Sequence, residues 1–254
     1  MSLREGNSRV LGRLLEELSW AGSTIRGYRQ GGRGFENVLT AEVFQALDFL
    51  PRTQFLGAVV EASHGAEKVR LLLRQEIEQS EFILLPGVEN SYLIPSAGSH
   101  QTKLSVQPDG IIQSPSCYGL LEAKRIRSSS FQAEQLAREF VLVMRDAQHR
   151  NRQPLLWLVL GSEPPIRVQG HGRLLPKDAI LHYLGLVLAR AENHNLVQST
   201  LIEQIDEVVC WTTWQDIAEV VRVQAEKMAL SEPSLRGCIH RLTESIKQSV
   251  AWHS

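Results

Sequence analysis

The sequence predicts an α/β protein in which a small mixed central sheet is flanked by helices. Three observations lead to this prediction. Apolar residues recur at helical spacing in the first quarter of the chain, short apolar runs typical of strands occupy the middle, and helical spacing returns in the last third. Helices placed before and after a group of strands in this way are typical of layered α/β domains.

The composition is that of a globular protein with a hydrophobic core. Of the 254 residues, 43% are hydrophobic and 22% are charged, close to the averages for soluble proteins. The formal net charge of −1 gives no overall attraction for nucleic acid, so contact with a polyanion must come from local basic clusters. The three cysteines lack metal-ligand spacing and are too few for a disulfide framework.

The chain lacks the sequence signals of secretion and of membrane insertion. Its first residues contain no apolar segment of the kind found in signal peptides. No apolar run approaches the roughly 20 residues that a helix needs to cross a bilayer. We therefore expect a cytoplasmic protein that makes no membrane contact.

Helices are predicted for most of the chain before the first strand. A glycine-rich basic loop, Gly27–Gly34, separates the first helix from the others. Pro51 ends the second helix because proline lacks the amide hydrogen and disfavours helical backbone in the residue before it. The predicted helices span residues 8–20, 36–50, 53–62 and 66–79.

The middle of the chain is predicted to contain four strands and one long helix. Pro108 and Gly110 make the second strand irregular, and a Ser-Pro-Ser turn joins it to the third. The predicted strands span Phe82–Leu85, Lys103–Ile112, Tyr118–Lys124 and Leu155–Leu160, with a helix over Ser130–His149 before the last of them.

The last third is predicted to be mainly helical, with helices over residues 176–191, 214–228 and 232–251 and a short strand over residues 208–211. Pro176 suits the first turn of its helix. The chain therefore divides into an N-terminal segment of residues 1–35, a core of residues 36–165, and an α-rich extension of residues 166–254 packed on that core.

Two acidic residues and a lysine interrupt the apolar strands of the middle section. Asp109 lies in the second strand, and Glu122 and Lys124 lie in the third. Because side chains alternate along a strand, Glu122 and Lys124 point to one face of the sheet. Burying charged side chains in an apolar strand is unfavourable unless they are paired, so they indicate a functional site. The competing interpretation is a Glu–Lys pair that reaches solvent at a strand end.

These residue types suit a divalent metal ion and a phosphodiester substrate. Mg²⁺ and Mn²⁺ take oxygen ligands, which Asp109, Glu122 and the carbonyl group of Ala123 supply. A metal ion lowers the pKa of a bound water and polarises a phosphate. Lys124 can orient or deprotonate that water and stabilise negative charge on phosphorus.

The spacing of these residues resembles the motif of a known superfamily. Pro108-Asp109, then twelve residues, then Glu122-Ala123-Lys124 is similar to the motif of the PD-(D/E)XK, or restriction-endonuclease-like, nucleases. The resemblance implies a core of a helix, a three-stranded meander bearing the motif, a second helix and a further strand, and residues 36–160 follow that order. It also implies a Mg²⁺- or Mn²⁺-dependent nuclease, with a DNA endonuclease of restriction, phage-defence or repair type as the first expectation.

Two further site residues follow from the resemblance. Many members of the superfamily place a Glu on the first core helix to complete the metal site, which corresponds to Glu36, with Glu42 as the alternative. Many also carry a Gln in the helix after the motif, which corresponds to Gln135. Glu36 has a simpler interpretation as well, because the helix dipole favours an acidic residue in a first turn.

Basic residues near the motif indicate nucleic acid as the partner. Arg125 and Arg127 follow the third strand directly, and Arg33 lies just before Glu36. Phosphates on either side of the scissile bond would lie close to such residues. A third group ends the following helix and consists of Arg145, His149, Arg150 and Arg152. We expect DNA as the partner, with RNA still open, and a homodimer is one arrangement that would cut both strands.

The alternative to an enzyme is a non-catalytic subunit that has a nuclease-like fold and binds nucleic acid or a protein partner. Trp211 and Trp214 favour such a surface weakly, although core packing explains them as well. Cys117 is expected in a turn, where its thiol would be exposed. The eight histidines have no zinc-ligand spacing, and the nucleophile motif G-x-S-x-G is absent.

Overall fold

The short apolar runs form a mixed central sheet in the computed structural model, and helices flank it, so the α/β class is confirmed. The structure describes residues 33–86, 92–96, 104–124, 126, 130–192, 196–228 and 232–253. The predicted helix over residues 8–20 and most of the glycine-rich loop lie outside these ranges. The loop's last two residues, Arg33 and Gly34, already belong to the first described helix.

Eight α-helices and ten strands occur in the described part of the chain. The helices are α1 (Arg33–Phe49), α2 (Leu56–Ala62), α3 (Glu67–Gln75), α4 (Ala133–His149), α5 (Pro176–Arg190), α6 (Gln198–Val208), α7 (Trp214–Lys227) and α8 (Pro233–His253). The strands are β1 (His64–Gly65), β2 (Glu81–Leu84), β3 (Tyr92–Leu93), β4 (Leu104–Ser105), β5 (Gly110–Gln113), β6 (Cys117–Ala123), β7 (Gln153–Leu160), β8 (Ile166–Val168), β9 (Gly172–Leu174) and β10 (Val209–Thr213).

The central sheet has six strands in the order β1-β10-β7-β6-β5-β2. Strands β6, β7 and β10 are parallel to one another, whereas β2, β5 and β6 form an antiparallel meander and β1 runs antiparallel to β10. Helix α4 connects β6 to β7, as a crossover between parallel strands requires. Two further pairs, β3–β4 and β8–β9, form small separate sheets.

The two faces of the sheet carry separate hydrophobic cores. Leu121 and Trp157 face a core that also contains apolar residues of α1, α2, α3, α7 and α8. Leu120 and Leu158 face a second core, shared with α4, α5 and α6. All seven residues of β6 are buried, because both faces of this strand are covered. The result is three layers with the sheet in the middle.

The predicted second strand, Lys103–Ile112, is wrong as a single element. It divides into β4, which pairs with β3, and β5, which joins the central sheet. Pro108 lies between them and has no amide hydrogen to give to a strand ladder. The carbonyl group of Asp109 accepts a hydrogen bond from the backbone of Leu85, which ties the start of β5 to the end of β2.

Helix α6 and the hairpin β8–β9 were not predicted from the sequence. Helix α6 has only three buried residues, and its N-cap residue, Val197, makes no side-chain capping hydrogen bond. By contrast, the predicted helix that begins at Trp214 has a full capping box between Thr213 and Asp216. The start of α6 therefore lacks the capping signal that marks the start of α7. Among the described residues, no helix has both the length and the apolar character required to cross a membrane.

Candidate functional site

Asp109 and Glu122 lie side by side at the junction of β5 and β6. Gly110 pairs with Leu121, so Asp109 is one step further along the ladder, opposite Glu122. The backbone N–H of Ala123 donates a hydrogen bond to Asp109 Oδ2 at 2.7 Å. Asp109 is therefore held by its backbone against β2 and by its side chain against β6. Asp109, Glu122 and Ala123 are all buried.

Glu122 and Lys124 form a close ion pair on the face of the sheet that α4 covers, as strand alternation predicted. Glu122 is 1% exposed, and Lys124 Nζ donates to Glu122 Oε1 at 2.6 Å. Gln135, near the start of α4, donates to the same oxygen through Nε2 at 2.9 Å. The structure therefore brings together four of the predicted site residues: Asp109, Glu122, Lys124 and Gln135.

Glu139 belongs to the same cluster and was not predicted from the sequence. Its carboxylate accepts a hydrogen bond from Gln135 Nε2 at 2.8 Å, so one amide group contacts both Glu122 and Glu139. Glu139 is completely buried. The pKa of Glu139 is raised to about 7, mainly by burial and also by nearby Asp109, although Lys124 and hydrogen bonds from Gln135 and Glu122 act in the opposite direction. A hydrogen bond between two carboxyl groups requires a proton on one of them.

A sequence signal for Glu139 did exist. It follows Gln135 by one helical turn and lies between Leu136 and Phe140 in the strongly apolar stripe of α4. A glutamate inside such a stripe is as unusual as a glutamate inside an apolar strand, because an unpaired buried charge is costly. The same reasoning that singled out Glu122 would have singled out Glu139.

Backbone and ring contacts position Lys124. Its N–H donates to the carbonyl group of Val159 at 2.8 Å, so it continues the pairing of β6 with β7. Its own carbonyl group accepts from the indole N–H of Trp214 at 2.7 Å. The ammonium group lies 5.5 Å from the ring centroid of Phe131, a distance suited to a cation–π contact. Trp214 is fully buried, so it contributes to the core rather than to a binding surface.

The residues predicted on the first core helix are not part of the described cluster. Glu36 lies in the first turn of α1, but its side chain is outside the described part of the structure. Helix α1 packs on the opposite face of the sheet from Glu122. Glu42 is exposed to solvent, so it does not contribute to the carboxyl cluster.

The basic residues that were predicted to contact nucleic acid fall into two groups, those outside the described part of the structure and those described at the end of α4. Arg125 and Arg127 lie outside the described residues, as does the side chain of Arg33. The arginines that end α4 lie toward the opposite end of that helix from Gln135. Arg145 there donates hydrogen bonds to Asp146 and to the carbonyl group of Tyr92. This third basic group therefore stabilises the fold and does not border the carboxyl cluster.

The prediction that Cys117 has an exposed thiol is wrong. Cys117 is the first residue of β6 and is fully buried. The pKa of its thiol is raised to about 12, mainly by burial and also by the negative charge of Glu76. Cys117 is therefore a core residue and not a nucleophile.

The carboxyl groups of the cluster fit a divalent metal ion in part. Asp109, Glu122 and Glu139 are the carboxyl groups of the cluster, and Lys124 is the described cation that pairs with Glu122. Carboxylate oxygens are the ligands that Mg²⁺ and Mn²⁺ prefer, and a bound cation would offset negative charge on Asp109 and Glu122. Within the described ranges, no three His, Cys, Asp or Glu side chains are arranged to hold a metal ion together. Asp109 and Glu122 thus fit as two ligands of an ion, with the remaining positions left to water or substrate.

Comparisons of the chain with protein-family models, with curated proteins and with solved structures find no match. Function must therefore be inferred from the site and from the arrangement of strands and helices around it.

Proposed function

We propose that the protein is a metal-dependent nuclease of the PD-(D/E)XK kind that hydrolyses phosphodiester bonds. The observation that supports this proposal is the meeting of Asp109, Glu122 and Lys124 at the junction of two adjacent strands, in a buried cluster rich in carboxyl groups. DNA is the proposed substrate and RNA the second choice. Restriction, phage defence and DNA repair are settings in which such an enzyme would act, and pairing of two copies would allow both strands to be cut.

The order of elements supports the proposal. After α1 come α2, the short edge strand β1 and α3, then the meander β2–β5–β6, then α4 and β7, which lies parallel to β6. Apart from α2, β1 and α3, this is the order that the resemblance in the sequence implies. It is also the arrangement that brings Asp109 at the start of β5 beside Glu122 at the end of β6. A shared fold alone would not establish a shared activity, so the proposal depends on the site residues.

The side chains have complementary roles in this proposal. Asp109 and Glu122 would hold a Mg²⁺ or Mn²⁺ ion, which when bound would make an attacking water more acidic and polarise the phosphate. Lys124 places a positive charge beside Glu122, where it stabilises negative charge that develops on the phosphate oxygens. Gln135 orients the carboxylate of Glu122 by its hydrogen bond. In the reaction, a water oxygen bonds to phosphorus and gives up a proton, the bond from phosphorus to the leaving oxygen breaks, and that oxygen takes up a proton, so one water is consumed for each bond cleaved.

Plasmid cleavage tests the proposal. Supercoiled plasmid and single-stranded RNA are incubated with the native protein and with Mg²⁺ or Mn²⁺. Cleavage by the native protein is expected, and a loss of about 100-fold or more is expected in Lys124→Ala and Asp109→Asn. Asn retains an oxygen that can accept from the Ala123 N–H, so this variant keeps the fold most closely. Lys247→Ala changes an exposed lysine on α8 and should cleave like the native protein.

Circular dichroism and thermal melting show which variants are folded, and only folded variants are compared. Equal cleavage by the native protein and by Asp109→Asn would point to a contaminating nuclease and contradict the proposal. Failure of the native protein to cleave either nucleic acid with both metal ions would contradict it as well.

One observation favours the non-catalytic alternative. Glu122 Oε1 already has an ion pair with Lys124 and a hydrogen bond from Gln135, so protein groups provide the partners of this oxygen. A binding subunit with such a site would have no need for a divalent cation. Titration with Mn²⁺ separates the two interpretations: an enzyme site should show a rise in melting temperature that Asp109→Asn abolishes, whereas the binding subunit should show none.

A further inference from the structure

The hairpin β8–β9 follows directly after β7 and is anchored by its buried residues. Ile166 and Val168 of β8 contact the same core as α4 and α5. The hairpin closes through a turn in which the N–H of His171 donates to the carbonyl group of Val168 at 3.1 Å. Gly170 has a φ of +78°, which a side chain would disfavour. Because Ile166 and Val168 lie on the buried side of β8, the residue between them lies on the exposed side of the hairpin.

This hairpin lies against the segment that supports Lys124. The N–H of Phe131 donates to the carbonyl group of Arg167 at 2.9 Å, and the N–H of Gln169 donates to the carbonyl group of Phe131 at 2.9 Å. Phe131 is also the residue whose ring lies under the ammonium group of Lys124. A single residue thus separates the hairpin backbone from the candidate site.

Two arginines occupy directly opposite positions on the exposed side of the hairpin. Arg167 of β8 pairs in register with Arg173 of β9, and both are exposed. Their Cβ atoms are thus expected to be about 5 Å apart, as in any directly opposed pair. Within the described residues, neither guanidinium forms an ion pair with a carboxylate, and Arg173 donates only to the carbonyl group of Pro165, at 3.0 Å.

Like charges directly opposite one another reduce the stability of a hairpin. Most surface arginines need no explanation beyond solubility, but two arginines placed in register on a hairpin repel each other, which scattered arginines do not. The arrangement is instead the one expected where an anionic partner lies across both side chains. Guanidinium groups bind phosphate through two parallel hydrogen bonds, which makes arginine well suited to a phosphate backbone.

We propose that Arg167 and Arg173 bind the phosphate backbone of a nucleic-acid strand and hold it beside the candidate site. This inference rests on the proposed function and extends it, because it names a binding surface in addition to the site residues. The shared chemistry is a phosphodiester chain, so DNA and RNA are tested separately.

Binding is measured by fluorescence anisotropy with a labelled DNA duplex and with a labelled RNA strand. EDTA is present, so that no metal-dependent hydrolysis takes place, and KCl is varied between about 50 and 200 mM. The double variant Arg167→Gln/Arg173→Gln is compared with Arg74→Gln/Arg222→Gln. The control pair changes two exposed arginines on α3 and α7, packed on the other face of the sheet, and alters the net charge equally.

The hairpin variant is expected to bind DNA about 10-fold more weakly or worse, and the slope of its salt dependence should fall by about 0.9 for each phosphate that is no longer neutralised. The control variant should bind like the native protein. The melting temperature of the hairpin variant should be equal to or above that of the native protein, because the repulsion between the arginines is relieved. A purely structural role for the arginines would instead lower it.

Three results would overturn the inference: unchanged binding by the hairpin variant, an equal reduction in the control, or no binding of either nucleic acid by the native protein. The inference would also be overturned if the hairpin variant lost binding to polyglutamate but still bound nucleic acid. That result would assign the surface to an acidic protein. Binding is measured without divalent cations, whereas cleavage requires them. A failure of this inference can therefore be distinguished from a failure of the proposed nuclease activity.

Discussion

At the level of single residues, the chemistry of the candidate site depends on how buried charges are compensated. Glu122 is balanced by Lys124 and oriented by Gln135. Glu139 shares the amide group of Gln135, and burial holds its pKa well above the ordinary value. The cluster therefore has one more carboxyl group than the motif in the sequence indicates, and the raised pKa of this group favours its protonated form.

Replacing Glu139 with Gln should change how stability depends on pH. The pKa of Glu139 is raised from 4.5 to about 7 in the folded state, so folding is favoured while the group is protonated. Native stability should fall as the pH rises from about 4.5 to about 7, by roughly 3 kcal/mol in total. Glu139→Gln should remove this loss, so it should be more stable than the native protein at pH 8 and similar to it at pH 5.

Urea unfolding in EDTA at several pH values measures this difference. Glu134→Gln is the matched control, since it makes the same substitution on the same helix at a partly exposed position that pairs with Arg190. Its effect should not vary between pH 5 and pH 8. A difference between Glu139→Gln and the native protein that stays constant with pH would contradict the prediction.

At the level of elements, the turn between β5 and β6 keeps Asp109 and Glu122 in register. Glu76, at the end of α3, accepts hydrogen bonds from the hydroxyl groups of Ser114 and Ser116 at 2.6 and 2.7 Å and from the N–H of Ser116 at 2.9 Å. Burial acts to raise the pKa of Glu76, but these hydrogen bonds outweigh it and the pKa is lowered. A residue of a distant helix thus anchors the Ser-Pro-Ser turn.

Replacing Glu76 with Ala should loosen this turn. The expected loss of stability is about 1–2 kcal/mol at pH 7, since hydrogen bonds to a charged group are removed at a partly exposed position. Because the pKa of Glu76 is lowered in the folded state, its contribution is present above the ordinary pKa of glutamate and disappears as the pH falls below it. The native protein and Glu76→Ala should therefore become equally stable in acid.

Thermal melting as a function of pH measures this effect, with Glu203→Ala on the exposed side of α6 as the control. Any cleavage activity should fall together with stability and recover at lower temperature, because Glu76 lies at the far end of β6 from Glu122. A melting temperature for Glu76→Ala equal to that of the native protein at pH 7 would show that the turn does not depend on Glu76.

For the molecule as a whole, residues near the C-terminus complete the central sheet. Strand β10 lies between β7 and β1, and α7 and α8 supply part of one hydrophobic core. Trp214 is fully buried and donates its indole N–H to the carbonyl group of Lys124. The described part of the last third of the chain is therefore integral to the sheet that positions the site.

A chain that ends at residue 208 should fail to fold cooperatively. It would lack β10, α7 and α8, so β7 would become an edge strand and Trp157 would be without the apolar residues of α7 and α8 that share its core. Thermal unfolding followed by circular dichroism should show a broad transition without a clear midpoint. A single sharp transition near that of the full chain would contradict this expectation, and it would show that the last helices are separate from the core.

Local sequence patterns determined much of the site. The sequence placed Asp109 inside a strand over residues 103–112, whereas the structure places it just before β5. Alternation along one apolar strand placed Glu122 and Lys124 on the same face. These predictions rely on the two-residue repeat of a strand, which depends only on neighbouring residues. The α/β class followed in the same way from helical and strand periodicities.

Long-range contacts were decided by the folded chain alone. Glu139 reaches Glu122 only because α4 crosses over the sheet, and the β8–β9 hairpin reaches Lys124 only through Phe131. The partners of Trp214 and Glu76 are likewise far away in the sequence. No local pattern encodes such pairs, because they depend on which faces of the helices and strands are buried together. Local periodicity therefore identified the motif, and packing across the sheet determined the carboxyl cluster and the basic surface beside it.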